Sequence, residues 1–218
     1  MTNILWIFFG FFLTQSSNAA QIVYLSGHAE QSTDGKSYQK IVGKLEAKPY
    51  VRTHAGWVIV ELKNKTKLKL APHSEVHLEK DDDSAQWIML KSGGVFTKVE
   101  PAPENKKRFK LSSKVATMGV LGTQFFMSYG KQKHKGHTDE WMCVNEGTVE
   151  ITDHITNKRK SVNEGQGVLV DAHEGLTDPK EYEWTKKLNW KMDANEGKVE
   201  SDVSLDSAYT NLRRIIYE

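Results

Sequence analysis

Polar and apolar positions alternate along this chain in short runs, and the alternation predicts a domain made of strands. In the run Trp57 to Leu62, Val58, Val60 and Leu62 share one side; further on, Leu68 and Leu70 alternate with Lys67 and Lys69. That pattern describes a half-buried strand with one wet face, so Lys67 and Lys69 are expected in solvent. Ile22 to Leu25 opens the series, and the polar stretch His28 to Ser37 reads as a loop or wide hairpin, followed by Gly43 to Val51. Asn64-Lys65 marks a turn, Pro72 and Ser74 interrupt before Val76 and Leu78, and Asp81 to Ser84 reads as an acidic hairpin tip. Trp87 to Leu90 returns to the core, and Gly93-Gly94 reads as a turn into Val95 to Val99, which Pro101 and Pro103 end. Phe109 and Leu111 start the next pair of strands.

Two denser apolar runs follow, Lys114 to Phe126 and Trp141 to Ile151, each punctuated by glycine. A glycine inside a strand-like run marks a bulge, a tight bend or a close approach of backbones. The sequence Val144-Asn145-Glu146-Gly147 returns as Val162-Asn163-Glu164-Gly165, and Leu90-Lys91-Ser92-Gly93 has the same shape. This echo predicts a recurrent turn whose glycine takes a positive φ before the next strand. Three short copies do not make a solenoid.

Helical periodicity is weak until the end. Tyr182, Trp184, Leu188 and Trp190 lie among lysines and glutamates, with near-helical spacing at Trp184 and Leu188. After a linker from Asp193 to Glu200, Ser204 is placed to cap a helix with Leu205, Ala208, Leu212, Ile215 and Ile216 on one stripe. Such a helix either packs on its own domain or docks a second protein, including another copy of this chain.

At the other end, Ile4 to Leu13 is apolar and is followed by Ser17, Asn18, Ala19 and Ala20. The run is shorter than the roughly 20 residues a membrane span needs and suits a secretory leader cleaved after Ala19. No Lys or Arg precedes it, and a retained anchor is the other reading. The expected organisation is a leader over 1–19, a β domain over 20–174 and a charged, partly helical tail over 175–218.

The 218 residues carry a formal charge of +2, which argues against nucleic acid as a partner. Charged residues at 27% and hydrophobic ones at 38% fit a soluble folded chain. The single cysteine, Cys143, cannot form an internal disulfide, so an exported fold must rest on its apolar core. Cys143 reads as a small buried hydrophobe in a strand, since no histidine adjoins it.

Candidate chemistry is sparse. His134 and His137 lie in a lysine-rich loop, and His73 and His77 flank a turn; neither pair has an obvious third metal ligand. Lys106, Lys107, Arg108 and Lys110 make the strongest basic cluster, which protects a strand edge or meets an anionic envelope polymer. Asp139 and Glu140, like Asp81 to Asp83, are expected in turns, with nothing to fix the spacing glycoside hydrolysis needs. No nucleophile elbow or phosphate loop is present. No catalytic, metal-ligating or cofactor-binding residue is therefore assigned, and an enzyme is not expected, an enzyme on a jelly-roll scaffold being the least favoured reading.

In order along the chain, several segments resemble the FecR domain family. They are Gly43-Lys44-Leu45 with Val51-Arg52-Thr53, Trp57 to Leu62 with Leu68 to Leu70, Ala116-Thr117, Gly122-Thr123 with Phe125, Val144 to Val149, and Val162 to Val168. The likeness covers about Ile22 to Val170, and it departs where many relatives carry arginine before Gly-Thr and this chain has Leu121. The resemblance implies an antiparallel β-sandwich or jelly roll at the bacterial cell envelope, periplasmic or secreted. It implies a non-catalytic binding or interaction module for an envelope protein or glycan, or an accessory in envelope signalling. With at most Met1 to Asn3 ahead of the apolar run, the sigma-factor grip of full regulators is not expected. The resemblance also makes Gly122 and Thr123 shapers of the fold.

Overall fold

The computed structural model describes residues 20–101, 108–134, 137–171 and 173–202. The leader, the helix expected after Ser204, and Lys106 and Lys107 of the basic cluster lie outside the described residues. Among those described there is no α-helix, and no helix is long and apolar enough to cross a membrane.

The strands are β1 (Gln21–Leu25), β2 (Ala29–Ser32), β3 (Gln39–Lys40), β4 (Tyr50–Thr53), β5 (Val58–Glu61), β6 (Lys67–Leu70), β7 (Glu75–Asp81), β8 (Ala85–Lys98) and β9 (Arg108–Ser112). They continue with β10 (Ala116–Val120), β11 (Gln124–His134), β12 (His137–Glu146), β13 (Thr148–Asp153), β14 (Arg159–Asn163), β15 (Gln166–Asp171), β16 (Gly175–Leu176) and β17 (Lys180–Glu181). The first sheet runs β1-β5-β6-β8-β11-β12-β15, with β16 and β17 both on the far edge of β15. The second runs β3-β2-β4-β7-β8-β9-β10-β13-β14. Among the described residues, neither closes into a barrel. All these pairings are antiparallel except β8 with β9, which is parallel.

The fold is mainly β, as its alternating pattern predicts, and alternate residues explain the layers. Val60, Leu68, Val95, Met127 and Val144 of the first sheet meet Val51, Val76, Ile88, Met118 and Ile151 of the second in one buried cluster. Two sheets that pool their inner faces in this way make a sandwich.

The long strand β8 belongs to both sheets, which corrects the turn expected at Gly93-Gly94. Its first part pairs with β7 and β9, and from Gly93 onward it pairs with β11. Gly93 makes the crossing possible: its φ is 91°, and a Cβ there would stand 2.3 Å from Ser74 Oγ. The Gly94 N–H donates to that same Ser74 Oγ at 2.9 Å. Strands that change sheet bend at such a point without ending. In the other two copies of the echo, Gly147 and Gly165 take φ of 82° and 79°, as the motif predicts.

Part of the polar stretch His28 to Ser37 is also a strand, β2. Its inward Gln31 is tied to loop backbone, donating to the Lys44 carbonyl at 3.3 Å and accepting from the Glu46 N–H at 2.9 Å. A polar residue can face inward when its partners are backbone groups.

The outer face of the first sheet is apolar too. Trp57, Phe96, Phe126, Trp141, Cys143 and Leu169 form a second buried cluster, roofed by Tyr182, Leu188 and Met192 from residues beyond β17. Strands apolar on both faces need cover on both. The tail supplies it through two 3-10 turns, Glu183–Lys187 and Ala194–Glu196, in place of the α-helical spacing expected there. Trp190 sets its ring edge-on to Phe96 with centroids 5.3 Å apart.

Lys69 lies beneath this cover, fully buried, and so departs from the wet face expected for it. Its Nζ donates to the carbonyls of Asn189, Lys191 and Val199 at 2.5, 2.9 and 2.9 Å. It also lies 4.3 Å from the centroid of Phe96. Burial lowers its pKa to about 7.

Glu140 departs from expectation as well. It lies within β12 and not in a turn, and it shares the inward parity of Met142 and Val144. It is completely buried, and burial pushes its carboxyl up to about 8.

Candidate functional site

Among the described residues, nothing covers the outer face of the second sheet where β8, β9, β10, β13 and β14 lie side by side. Register lines up one row across it: Trp87 opposite Lys110, Lys110 opposite Gly119, Gly119 opposite Glu150, and Glu150 opposite Ser161. All five have the outward parity, because Ile88, Leu111, Met118 and Ile151 take the core positions between them. Trp87 was expected to return to the core with Leu90; the two differ in parity, and Trp87 is 43% exposed.

Gly119 in the middle of this row leaves a gap. The result is an open hollow of about 930 Å³ lined by Trp87, Lys110, Thr117, Gly119, Leu121, Thr148, Glu150 and Arg159. That volume lies within the range of about 300–1,000 Å³ typical of ligand sites. At one end stands Trp87, with Lys80 Nζ 5.0 Å from its ring centroid. Leu121, 59% exposed, adds a second apolar element to the lining. Glu150 and Arg159 pair across β13 and β14, and Thr117 Oγ1 lies 2.8 Å from His154 Nε2.

Gly119 has no evident structural reason to be glycine. It lacks a positive φ, and a Cβ built on it would meet nothing within 4 Å. Elsewhere the fold uses glycine from necessity: a Cβ at Gly147 would lie 2.9 Å from Thr123 Cγ2, and one at Gly122 would lie 3.2 Å from Pro101. A glycine in mid-strand weakens the strand and often marks a place where another molecule approaches closely. The sequence contains this residue in the run Lys114 to Phe126, but only cross-strand register places it between Lys110 and Glu150.

Residues 50–150 match the family described as FecR protein. The chain contains a FecR domain. The matched span runs from β4 into β13 and so takes in β8, β9 and β10, three of the strands under the hollow. It is narrower than the stretch over which the motifs are recognisable. Two crystal structures of proteins provisionally assigned as anti-sigma factors from Parabacteroides distasonis are similar in fold. One, at 2.50 Å resolution, has a TM-score of 0.50 and 16% identity over 61% of this chain and 59% of that one. The other, at 1.65 Å, has a TM-score of 0.49 and 17% identity over 60% of this chain and 57% of that one. This chain thus spans about three-fifths of the length of each. No curated protein matches.

Of the candidate chemical residues singled out in the sequence, Lys110 lines the hollow. Cys143 is buried in the second cluster, where burial raises its thiol pKa well above the ordinary value. His77 stacks flat on Tyr50, with centroids 3.9 Å apart, and His73 occupies a turn with φ of 56°. His134 and His137 are register partners in the β11–β12 ladder, and their side chains lie outside what is described. Among the described residues, the three-membered set of metal-capable donors is His28, Glu30 and His54, which includes neither His73 and His77 nor His134 and His137.

Proposed function

We propose that this FecR-domain protein is a non-catalytic interaction module of the bacterial cell envelope, periplasmic or secreted, whose partner seats in the hollow around Gly119. The observation that carries this reading is the unforced glycine at the centre of an exposed row that begins with Trp87. Aromatic and arginine side chains dominate the energetics of protein interfaces, and Trp87, Leu121 and Arg159 supply two apolar anchors and a planar cation. The partner favoured is another envelope protein presenting an apolar side chain between Trp87 and Leu121. The match of residues 50–150 to the FecR family supports a role for that interaction in envelope signalling, by analogy with the family.

A second reading is favoured by the hydroxyls of Thr117 and Thr148, which line the same hollow as the Trp87 indole and suit a glycan stacked on that ring. Two assays separate the readings. Envelope extract, with and without protease treatment, is passed over the immobilised chain and its Trp87→Ala variant. Purified peptidoglycan is co-sedimented with the same pair. A protease-sensitive partner held by the parent chain and lost from the variant supports the protein reading, and Trp87-dependent sedimentation supports the glycan. Equal behaviour of parent and variant in both assays would end the assignment to this hollow.

A further inference from the structure

A second cluster lies away from the hollow, at the start of β2 and the end of β4. The backbones of these segments are locked together. Ser26 and Trp57 exchange hydrogen bonds, N to O, at 2.9 and 3.1 Å, and the His54 N–H donates to the His28 carbonyl at 3.0 Å. Gly27 and Gly56 permit this contact: a Cβ on Gly27 would stand 2.1 Å from the Ala55 carbonyl oxygen, and one on Gly56 2.1 Å from that of Ser26. The ladder therefore fixes His28 and His54 as neighbours. Their rings meet edge to face with centroids 4.8 Å apart.

Glu30 lies two residues beyond His28, on the same side of β2, and its carboxylate faces both rings. Its Oε1 is 3.4 Å from His28 Nε2, and its Oε2 is 3.0 Å from His54 Nε2. All three donor atoms lie within 4.8 Å of one another. Zinc bonds of about 2.0–2.2 Å in a tetrahedron space neighbouring ligands roughly 3.4 Å apart, so only small rotations of two exposed imidazoles close the set.

The carboxylate is also held from behind. Arg52 Nη2 and Nε donate to Glu30 Oε2 at 2.6 and 3.2 Å, and the guanidinium lies 3.7 Å over the Tyr38 ring. Outer partners of this kind orient metal ligands. The arginine charge opposes a cation, which sets the affinity in a modest range, and Oε1 remains the oxygen that faces away from Arg52 toward His28.

We propose that His28, Glu30 and His54 form a surface site for a divalent transition metal of the zinc class, with solvent completing the coordination. Two imidazoles and a carboxylate suit zinc over calcium or magnesium, which prefer oxygen ligands. The test is a titration of the purified full chain with Zn2+ at pH 7.5 against a chromophoric chelator, compared with His28→Ala, His54→Ala and the double variant. Thermal melts without metal check that each variant is folded. One equivalent bound at micromolar concentration, weakened at least tenfold by each single substitution, is expected. The proposal is overturned if the parent chain binds no zinc up to millimolar concentration. It is equally overturned if the double variant binds as the parent does, which would place the metal on others of the eight histidines.

Discussion

The Lys69 ammonium donates to the Val199 carbonyl at 2.9 Å, joining a strand of the first sheet to a residue 130 positions later. With the carbonyls of Asn189 and Lys191, this gives Lys69 three acceptors for its three protons. The tail is thereby fastened over one outer face of the sandwich, while among the described residues the other outer face stays open at Gly119. Lys69→Met keeps the aliphatic stem and leaves three carbonyls without their donor. It is expected to lower stability by about 2–4 kcal/mol, since buried groups left unpaired cost about 1–3 kcal/mol each and adjust in part. Limited proteolysis should then cut between Glu183 and Asp202 in the variant well before the parent.

Truncation before Gly197 removes Val199, which is almost fully buried, along with its carbonyl. The melting temperature of the shortened chain should fall. An unchanged value would mean that the tail does not seal the first sheet.

Glu140 makes stability depend on pH. Its carboxyl is raised from 4.5 in the unfolded chain to about 8 in the fold by burial. The folded state then holds a proton that the unfolded state releases, so this contribution is complete below about pH 4.5 and is lost as pH rises toward 8. Glu140→Gln cannot release that proton. The difference in unfolding free energy between variant and parent, measured by urea titration, should shift in the variant's favour from pH 5 to pH 8.

Gly93→Ala tests the strand that joins the sheets. Its methyl group would enter the space of Ser74 at a φ that alanine rarely adopts. A loss of about 2–4 kcal/mol is expected, at the level of a strained backbone with a steric clash. Gly119→Thr is the contrasting case. With nothing near the new Cβ, it should raise stability by up to about 1 kcal/mol, the usual penalty of a glycine in mid-strand.

Strand periodicity was the legible part of this chain, because alternation writes itself directly into sequence. Val58, Val60 and Val76 lie where their parity places them. Lys69 could not be read in this way. Its burial depends on a tail more than a hundred residues away, and local alternation puts a lysine in water. Gly93 looked like a turn because a glycine pair carries the same signal whether a strand ends or crosses between sheets. The histidines that converge, His28 and His54, are 26 positions apart in sequence and meet only through the β2–β4 pairing. Likewise Trp87, Lys110, Gly119 and Glu150 become one row only through register across β8, β9, β10 and β13.

The interaction surface is tested most directly by placing a photo-crosslinking amino acid at Thr148, inside the hollow, and irradiating the protein in its native envelope. A discrete adduct should form, and it should disappear when Gly119→Thr is added, although the double variant remains folded and no less stable. An adduct undiminished by Gly119→Thr, or adducts that arise only from a probe at Glu183 on the tail, would contradict the account.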